Sequence, residues 1–218
     1  RLAEEGFYRL CTPTELGGVG GDPRVLAEVC EILATGNGSV AWCVFIGATS
    51  QYMFPAASPQ LIDELLENPN VITSGVFAYS GTATRPANAS DTWTVNGRWE
   101  WGSGCRNAAW ISGGVTLCDS DGSPILDKHQ RPTEARAFFK PEEIEMHDDW
   151  HTSGLRGSGS NSYTAHNLEI PDYRVATVEA LRASALADSP IYRFPRFGFQ
   201  ESAIGEIDPG TVHDAIEE

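Results

Sequence analysis

At Val71 the pattern of apolar residues changes period, from the three-to-four spacing of helices to the alternation of strands. Before it, Asp22 is placed to cap a helix with Pro23 at its first position, running through Val25, Val29, Ile32 and Leu33 to Gly36. Ser39 reads as the cap of a second helix, Val40 to about Phe54, apolar almost all round and therefore buried. Ser58-Pro59 opens a third, Leu61 to Glu67, closed by Asn68-Pro69. Arg1 to Leu10 also has helical spacing and stops at Cys11-Thr-Pro13. The glycine-rich run Glu15 to Asp22 follows no strand and lacks a Gly-Lys-Ser/Thr ending, so it reads as a connector.

After the change, six stretches read as strands: Val71–Tyr79, Trp93–Trp101, Ala109–Cys118, Glu134–Lys140, Ile144–His147 and Tyr163–Ile170. Asp119-Ser-Asp-Gly122 is a hairpin turn between two segments. Strands with no helices between them fit a compact antiparallel barrel or sandwich and not a Rossmann sheet. Past Pro171 the chain turns helical again around Val178 to Ser184, followed by a Pro- and aromatic-rich link, Pro190 to Phe199, and a last piece, Thr211 to Glu218. The expected class is α+β: an N-terminal helical domain (1–70), a middle antiparallel β-barrel (71–173) and a partial C-terminal helical bundle (174–218). The chain starts at Arg1 with no initiator Met and ends inside an apparent helix, which predicts a fragment of a longer protein.

One stretch, Trp93 to Trp110, holds four of the six tryptophans. Asn96-Gly97 between two alternating runs predicts a β-hairpin, because both central residues of a type I′ turn need positive φ. Trp101-Gly-Ser103-Gly104 then offers a flat aromatic surface, a hydroxyl and approachable backbone. That suits a planar, polar-edged cofactor, and it equally suits a Trp-rich hairpin packed into a core. A second stretch, Asp148 to Asn161, is a long loop of hydroxyls and glycines with Arg156. Successive small residues let several N–H groups face one anion, so phosphate binding is weighed slightly ahead of a plain polar loop. His151 reads as a hydrogen-bonding residue, and Asp148 and Asp149 as solvated carboxylates. Ser103 lacks a Gly-x-Ser-x-Gly elbow, so a hydrolase triad is unsupported.

The net charge of −15 argues against a nucleic-acid or anionic-membrane partner, and no apolar run reaches membrane-spanning length. Five scattered cysteines without a Cys-x-x-Cys pair make a poor disulfide framework and a poor zinc site, so no metal is expected and a reduced, cytoplasmic setting is the plain reading.

Taken in order, Pro13-Thr-Glu-Leu-Gly-Gly18, Val76-Phe-Ala-Tyr79-Ser80-Gly81, Val95-Asn-Gly-x-x-x-Trp101-x-Ser103-Gly104, Trp150-His-x-Ser-Gly-Leu-Arg156-Gly-Ser158-Gly-Ser160-Asn161 and Glu169-Ile-Pro171 resemble the acyl-CoA dehydrogenase superfamily. Within it the chain looks most like the flavin-dependent monooxygenase branch, the oxygenase components of two-component systems. The resemblance implies helical domain, barrel and four-helix bundle, assembled as a homotetramer, with FMN or FAD between barrel and bundle. The flavin would arrive reduced from a separate flavin reductase and use O2 to hydroxylate a small aromatic or heterocyclic substrate. It further implies that Trp101 flanks the isoalloxazine and that Ser103, the implied catalytic residue, hydrogen-bonds near its N5–O4 edge. Tyr79 and Ser80 would lie along the pyrimidine side. Trp150, Arg156, Ser158 and Ser160 would serve the ribityl phosphate end or position the barrel against a neighbour. The run Ser80-Gly-Thr-Ala-Thr-Arg85 departs from the Gly-Ser-Asp with which the dehydrogenases help hold acyl-CoA. The dehydrogenases' glutamate and the monooxygenases' histidine both belong to a bundle that this chain only begins. An acyl-CoA dehydrogenase and a non-catalytic truncated paralogue are the alternatives.

Overall fold

The computed structural model describes residues 1–88, 91–188 and 192. Asp22 accepts a hydrogen bond from the Arg24 N–H and Pro23 occupies the first turn, so α1 runs Pro23–Gly36. The next cap is Asn37 and not Ser39: its side chain accepts from the Val40 N–H at 3.0 Å, starting α2 at Gly38–Ser50. A 3-10 segment containing Pro55 carries the chain through Gln51–Ala56, and Ser58 caps α3, Pro59–Leu66. Residues 1–10 are not a continuous helix. Gly6 at φ 86° breaks the run and leaves one 3-10 turn, Phe7–Arg9.

Seven strands follow: β1 Thr73–Thr84, β2 Thr92–Trp99, β3 Trp110–Cys118, β4 Glu134–Phe139, β5 Glu145–Met146, β6 Tyr163–Pro171 and β7 Val175–Thr177, then α4 Val178–Ala183. They form one sheet in the order β5-β6-β2-β1-β3-β4-β7. The expected antiparallel barrel is therefore corrected to an open, mixed sheet with β5 and β7 at its edges. The departure is at its centre, where β1 pairs antiparallel with β2 but parallel with β3, Thr73 lying beside Trp110. A parallel neighbour cannot be reached by a hairpin and needs a crossover. Here that crossover is β2 itself, which runs back along the other side of β1, together with the segment 100–109, which passes the start of β1 to reach β3.

The expected hairpin at Asn96-Gly97 is also corrected. Both residues lie inside β2, Gly97 opposite Gly81 and Asn96 opposite Thr82. Gly97 is not among the residues with positive φ. Its lack of a side chain serves space: a Cβ there would come within 2.9 Å of the Trp99 indole. Trp99 lies over Gly81, Gly97 and Gly113 on three adjacent strands, donates from Nε1 to the Gly114 carbonyl at 2.9 Å and stacks on Tyr163 at 5.4 Å. Around it Trp93, Val95, Ile111, Val115 and Phe139 form the core of one sheet face. The second core joins Leu26, Phe45, Phe54, Leu61 and Leu65 of the helical part to Trp110, Phe138 and Ala176 of the sheet. At this seam Arg174 pairs with Glu143 and Glu64, and the Tyr173 hydroxyl donates to Glu64 at 2.6 Å.

The turn at Asp119–Gly122 forms as expected, with Gly122 at φ 86°. The link 190–199, apart from Tyr192, and the last piece 211–218 lie outside the described residues. Among the described residues no helix is long and apolar enough to cross a membrane, and no group of His, Cys, Asp and Glu has metal-ligating geometry.

Candidate functional site

The crossover forced by parallel pairing carries Trp101 and Ser103. Gly102 is pressed onto the core: a Cβ there would fall 2.6 Å from Tyr163 Cε1, and its N–H donates to the Asn161 carbonyl at 3.0 Å. Gly104 N–H donates to the Ser158 carbonyl at 2.8 Å, so the crossover is laced to the second loop along its backbone. With Gly102 drawn inward beside it, Trp101 is turned out. The residue is 71% exposed and its φ is +64°, a left-handed conformation that costs a bulky residue roughly 1–3 kcal/mol.

Ser103 points the other way and is 3% exposed. Its Oγ accepts from the indole N–H of Trp42 at 2.7 Å and lies 2.6 Å from Ser160 Oγ. Ser160 Oγ lies 2.6 Å from Ser158 Oγ, and Ser158 Oγ donates to the Leu155 carbonyl at 2.8 Å. Ser74 at the start of β1 donates to the Ser103 carbonyl at 2.7 Å. The structure thus gathers Ser103, Ser158 and Ser160 from two separate loops into one buried hydroxyl chain. Trp150 joins its tail, donating from Nε1 to the same Leu155 carbonyl at 3.0 Å. Leu155 is itself left-handed at φ +51°, which aims that carbonyl at three donors: Trp150 Nε1, Ser158 N and Ser158 Oγ.

Trp42 is the functional candidate that sequence reasoning passes over. On an all-round apolar helix it reads as core, yet an indole N–H taken out of water needs an acceptor. That requirement is the signal that marks it. Cys43, next on α2, sets its thiol 3.7 Å from the Ser158 carbonyl, and Cys105 sets its own 3.8 Å from that of Gly159. Burial pushes Cys43 up to about 11 and raises Cys105 as well, so both stay protonated and neither is a nucleophile.

Asp148 and Asp149 are both exposed, as expected of solvated carboxylates, and each also has protein partners. Asp148 accepts from Arg106 at 2.7 Å, and Arg106 Nε also donates to Asn161 Oδ1 at 2.9 Å. Asp149 accepts from the Ser162 hydroxyl and from the Ser162 N–H at 2.9 Å, with Arg98 at 3.1 Å. The Ser162 hydroxyl, then its N–H, then Arg98 hold the Asp149 carboxyl below the usual range. A depressed folded-state value means that this clamp contributes above the ordinary Asp value and is lost as pH falls through the lowered one. Asp149→Asn is accordingly expected to flatten the acid limb of the stability curve below about pH 4. Urea melts at stepped pH check this, and coincident acid limbs for the two proteins would contradict it.

Other residues of the sequence reading lie apart. His151 is exposed and bonds the Asp148 carbonyl at 3.0 Å. Arg156 is exposed on the second loop, and its guanidinium, among the described residues, has no hydrogen-bond or ion-pair partner. Tyr79 and Ser80 sit farther along β1, within the irregular stretch between Val76 and Gly81. Tyr79 packs beside Gly114, on the face opposite Trp99, and lines a cleft of about 710 Å³ with Thr116, Glu134 and Arg182.

No protein-family model matches the chain. It is 30% identical over 222 residues to the oxygenase subunit HsaA of a flavin-dependent monooxygenase from Rhodococcus jostii (strain RHA1), covering 99% of this chain and 53% of that protein. An indole-3-acetate monooxygenase of Acinetobacter baumannii is 27% identical, over 100% of this chain and 53% of its own length. Among solved structures, the 3-HSA hydroxylase from Rhodococcus sp. RHA1 superposes with a TM-score of 0.82 at 28% identity, over 96% of this chain and 54% of that one. Along nearly its whole length the chain is similar to oxygenase components of flavin-dependent monooxygenases. It spans about half the length of the curated relatives it matches.

Proposed function

We propose that this chain supplies one wall of the flavin site in a two-component monooxygenase. The whole protein would hydroxylate a small aromatic or heterocyclic compound with O2 and reduced FMN or FAD delivered by a separate flavin reductase. The carrying observation is Trp101: an exposed indole, held out by a strained backbone, two residues from a buried chain of hydroxyls. A planar ring with a polar edge fits that pairing of flat apolar face and hydrogen-bonding group. The family's names support the cofactor, and the indole-3-acetate enzyme supports an aromatic substrate.

In this reading Trp101 stacks on the ring system and excludes water from one side of it. Ser103 is the catalytic residue, contacting the N5–O4 edge, while Ser158 and Ser160 hold it in place. Arg156, exposed on the second loop, takes the ribityl phosphate, with Trp150 ordering the loop through Leu155. Tyr79 and Ser80 border the pyrimidine side. When bound in reduced form, flavin supplies the electrons that activate O2 for insertion of one oxygen atom into the substrate. The exposed Val25 and Ile32, two turns apart on α1, support assembly as a homo-oligomer, which we take to be a tetramer. Five unpaired thiols support a cytoplasmic setting.

The test is anaerobic titration of the chain with dithionite-reduced FMN, followed by the quenching of Trp fluorescence. Saturable binding is expected. A chain that leaves reduced FMN and reduced FAD unbound, while melting cooperatively, would refute the reading.

A further inference from the structure

The hydroxyl chain has a direction, and the direction follows from its tail. The Leu155 carbonyl carries no hydrogen, so at 2.8 Å the proton between it and Ser158 Oγ belongs to Ser158. With its one proton spent, Ser158 accepts at its 2.6 Å contact with Ser160, which makes Ser160 the donor there. Ser160 then accepts in turn at its 2.6 Å contact with Ser103, and Ser103 donates. The reverse polarity would bring a hydroxyl oxygen and a carbonyl oxygen to 2.8 Å with no hydrogen between them. At the head, the Trp42 indole N–H, which can only donate, fills one lone pair of Ser103 Oγ at 2.7 Å. What Ser103 has left is a single lone pair.

We infer that Ser160 and Ser158, draining toward the Leu155 carbonyl, fix Ser103 as an acceptor, so that the site selects a ligand presenting an N–H donor at that point. Resting on the flavin reading above, this identifies the device that tells the two redox forms apart. Dihydroflavin carries a hydrogen on N5, whereas in oxidised flavin N5 is a bare acceptor that would face the lone pair of Ser103. Ser160 and Ser158 are positioning residues. They act through Ser103 and need not touch the ligand. Trp42 works in the same sense, by occupying the direction from which Ser103 would otherwise be approached. Ser103 is bonded to the part-buried Trp42 and follows the exposed Trp101 by two residues. On the flavin reading, the edge of a ring stacked on Trp101 is what meets the remaining lone pair.

The experiment measures the dissociation constants of oxidised FMN and of dithionite-reduced FMN under argon, for the wild-type chain, Ser160→Ala and Ser160→Thr. Wild type is expected to favour reduced FMN by at least about tenfold, the scale of one hydrogen bond exchanged for two opposed acceptors. Ser160→Ala releases the Ser103 proton toward the ligand, so the ratio falls by roughly tenfold, largely through a gain in oxidised FMN affinity. Ser160→Thr keeps the hydroxyl and keeps the ratio. If Ser160→Ala weakens both forms equally, the chain is only structural and the inference is overturned. A wild type that binds both forms equally well overturns it while leaving the flavin reading intact. Binding of neither form overturns both.

Discussion

Trp99→Ala is expected to remove about 3–5 kcal/mol of unfolding free energy, the range for deleting a fully buried large aromatic side chain. Folded domains of this size retain only about 5–15 kcal/mol in total, so the variant should melt near working temperature or fail to accumulate. Three separate losses meet at this residue. The indole is fully buried and fills the space left by Gly81, Gly97 and Gly113, so its removal opens a cavity that three bare backbones cannot collapse into. It stacks on Tyr163 at 5.4 Å and tilts against Phe139 at 5.5 Å. Its N–H satisfies the Gly114 carbonyl inside the sheet. A companion variant separates packing from general weakness of the sheet. A methyl at Gly113 would overlap the indole, so Gly113→Ala alone should destabilise by about 1–3 kcal/mol. In the Trp99→Ala background the same methyl enters the cavity, and its cost should vanish or change sign. Urea unfolding of both singles and the double closes the cycle. Strictly additive losses would show that the indole does not rest on the glycines.

The same glycines explain what the sequence conceals. Asn96-Gly97 carries the composition of a tight turn, but glycine has two uses, positive φ and lack of bulk, and only the first is a turn signal. Gly97 serves the second, under Trp99, a residue two positions on whose direction no local pattern reveals. Caps were legible because they are local: Asp22 with Pro23 and Ser58 with Pro59 fall where they were expected. The shift from Ser39 to Asn37 is a choice between two good caps two residues apart. Strand positions were legible from alternation, whereas pairing was not. The connection from β1 to β3 holds β2 and no α-helix, so nothing announced a crossover and the strands invited an antiparallel reading. At the site, the sequence singled out both loops and three serines that the structure does bring together. It offered no way to see that Trp42, 61 positions before Ser103, donates to that serine, because the link is made by packing α2 against the sheet.

Trp101→Gly should move stability and ligand affinity in opposite directions. In the folded chain the residue sits at φ +64°, which glycine adopts freely and tryptophan does not. The residue is 71% exposed, so little burial is lost with its side chain. Relief of strain, less the greater entropy of glycine in the unfolded chain, leaves a gain of roughly 0.5–1 kcal/mol. On the proposed reading the same change removes the surface on which the flavin ring lies. Stacking against an aromatic face contributes about 0.5–1.5 kcal/mol beyond area burial, and loss of the buried indole area adds to this, so affinity for reduced FMN should fall at least about tenfold. Trp93→Phe provides the contrast. That indole is buried, lies under the Arg85 guanidinium at 3.9 Å and donates to Asp172 at 2.6 Å. Its replacement should cost about 1–2 kcal/mol of stability and leave FMN affinity unchanged. Paired urea melts and anaerobic FMN titrations read both quantities on each variant. A Trp101→Gly protein that is both less stable and unchanged in affinity would mean that the exposed ring packs somewhere and binds nothing. A protein selected for stability alone would not keep a strained, solvent-facing tryptophan beside the inward-drawn Gly102, and flavin stacking gives a reason for that strain to persist.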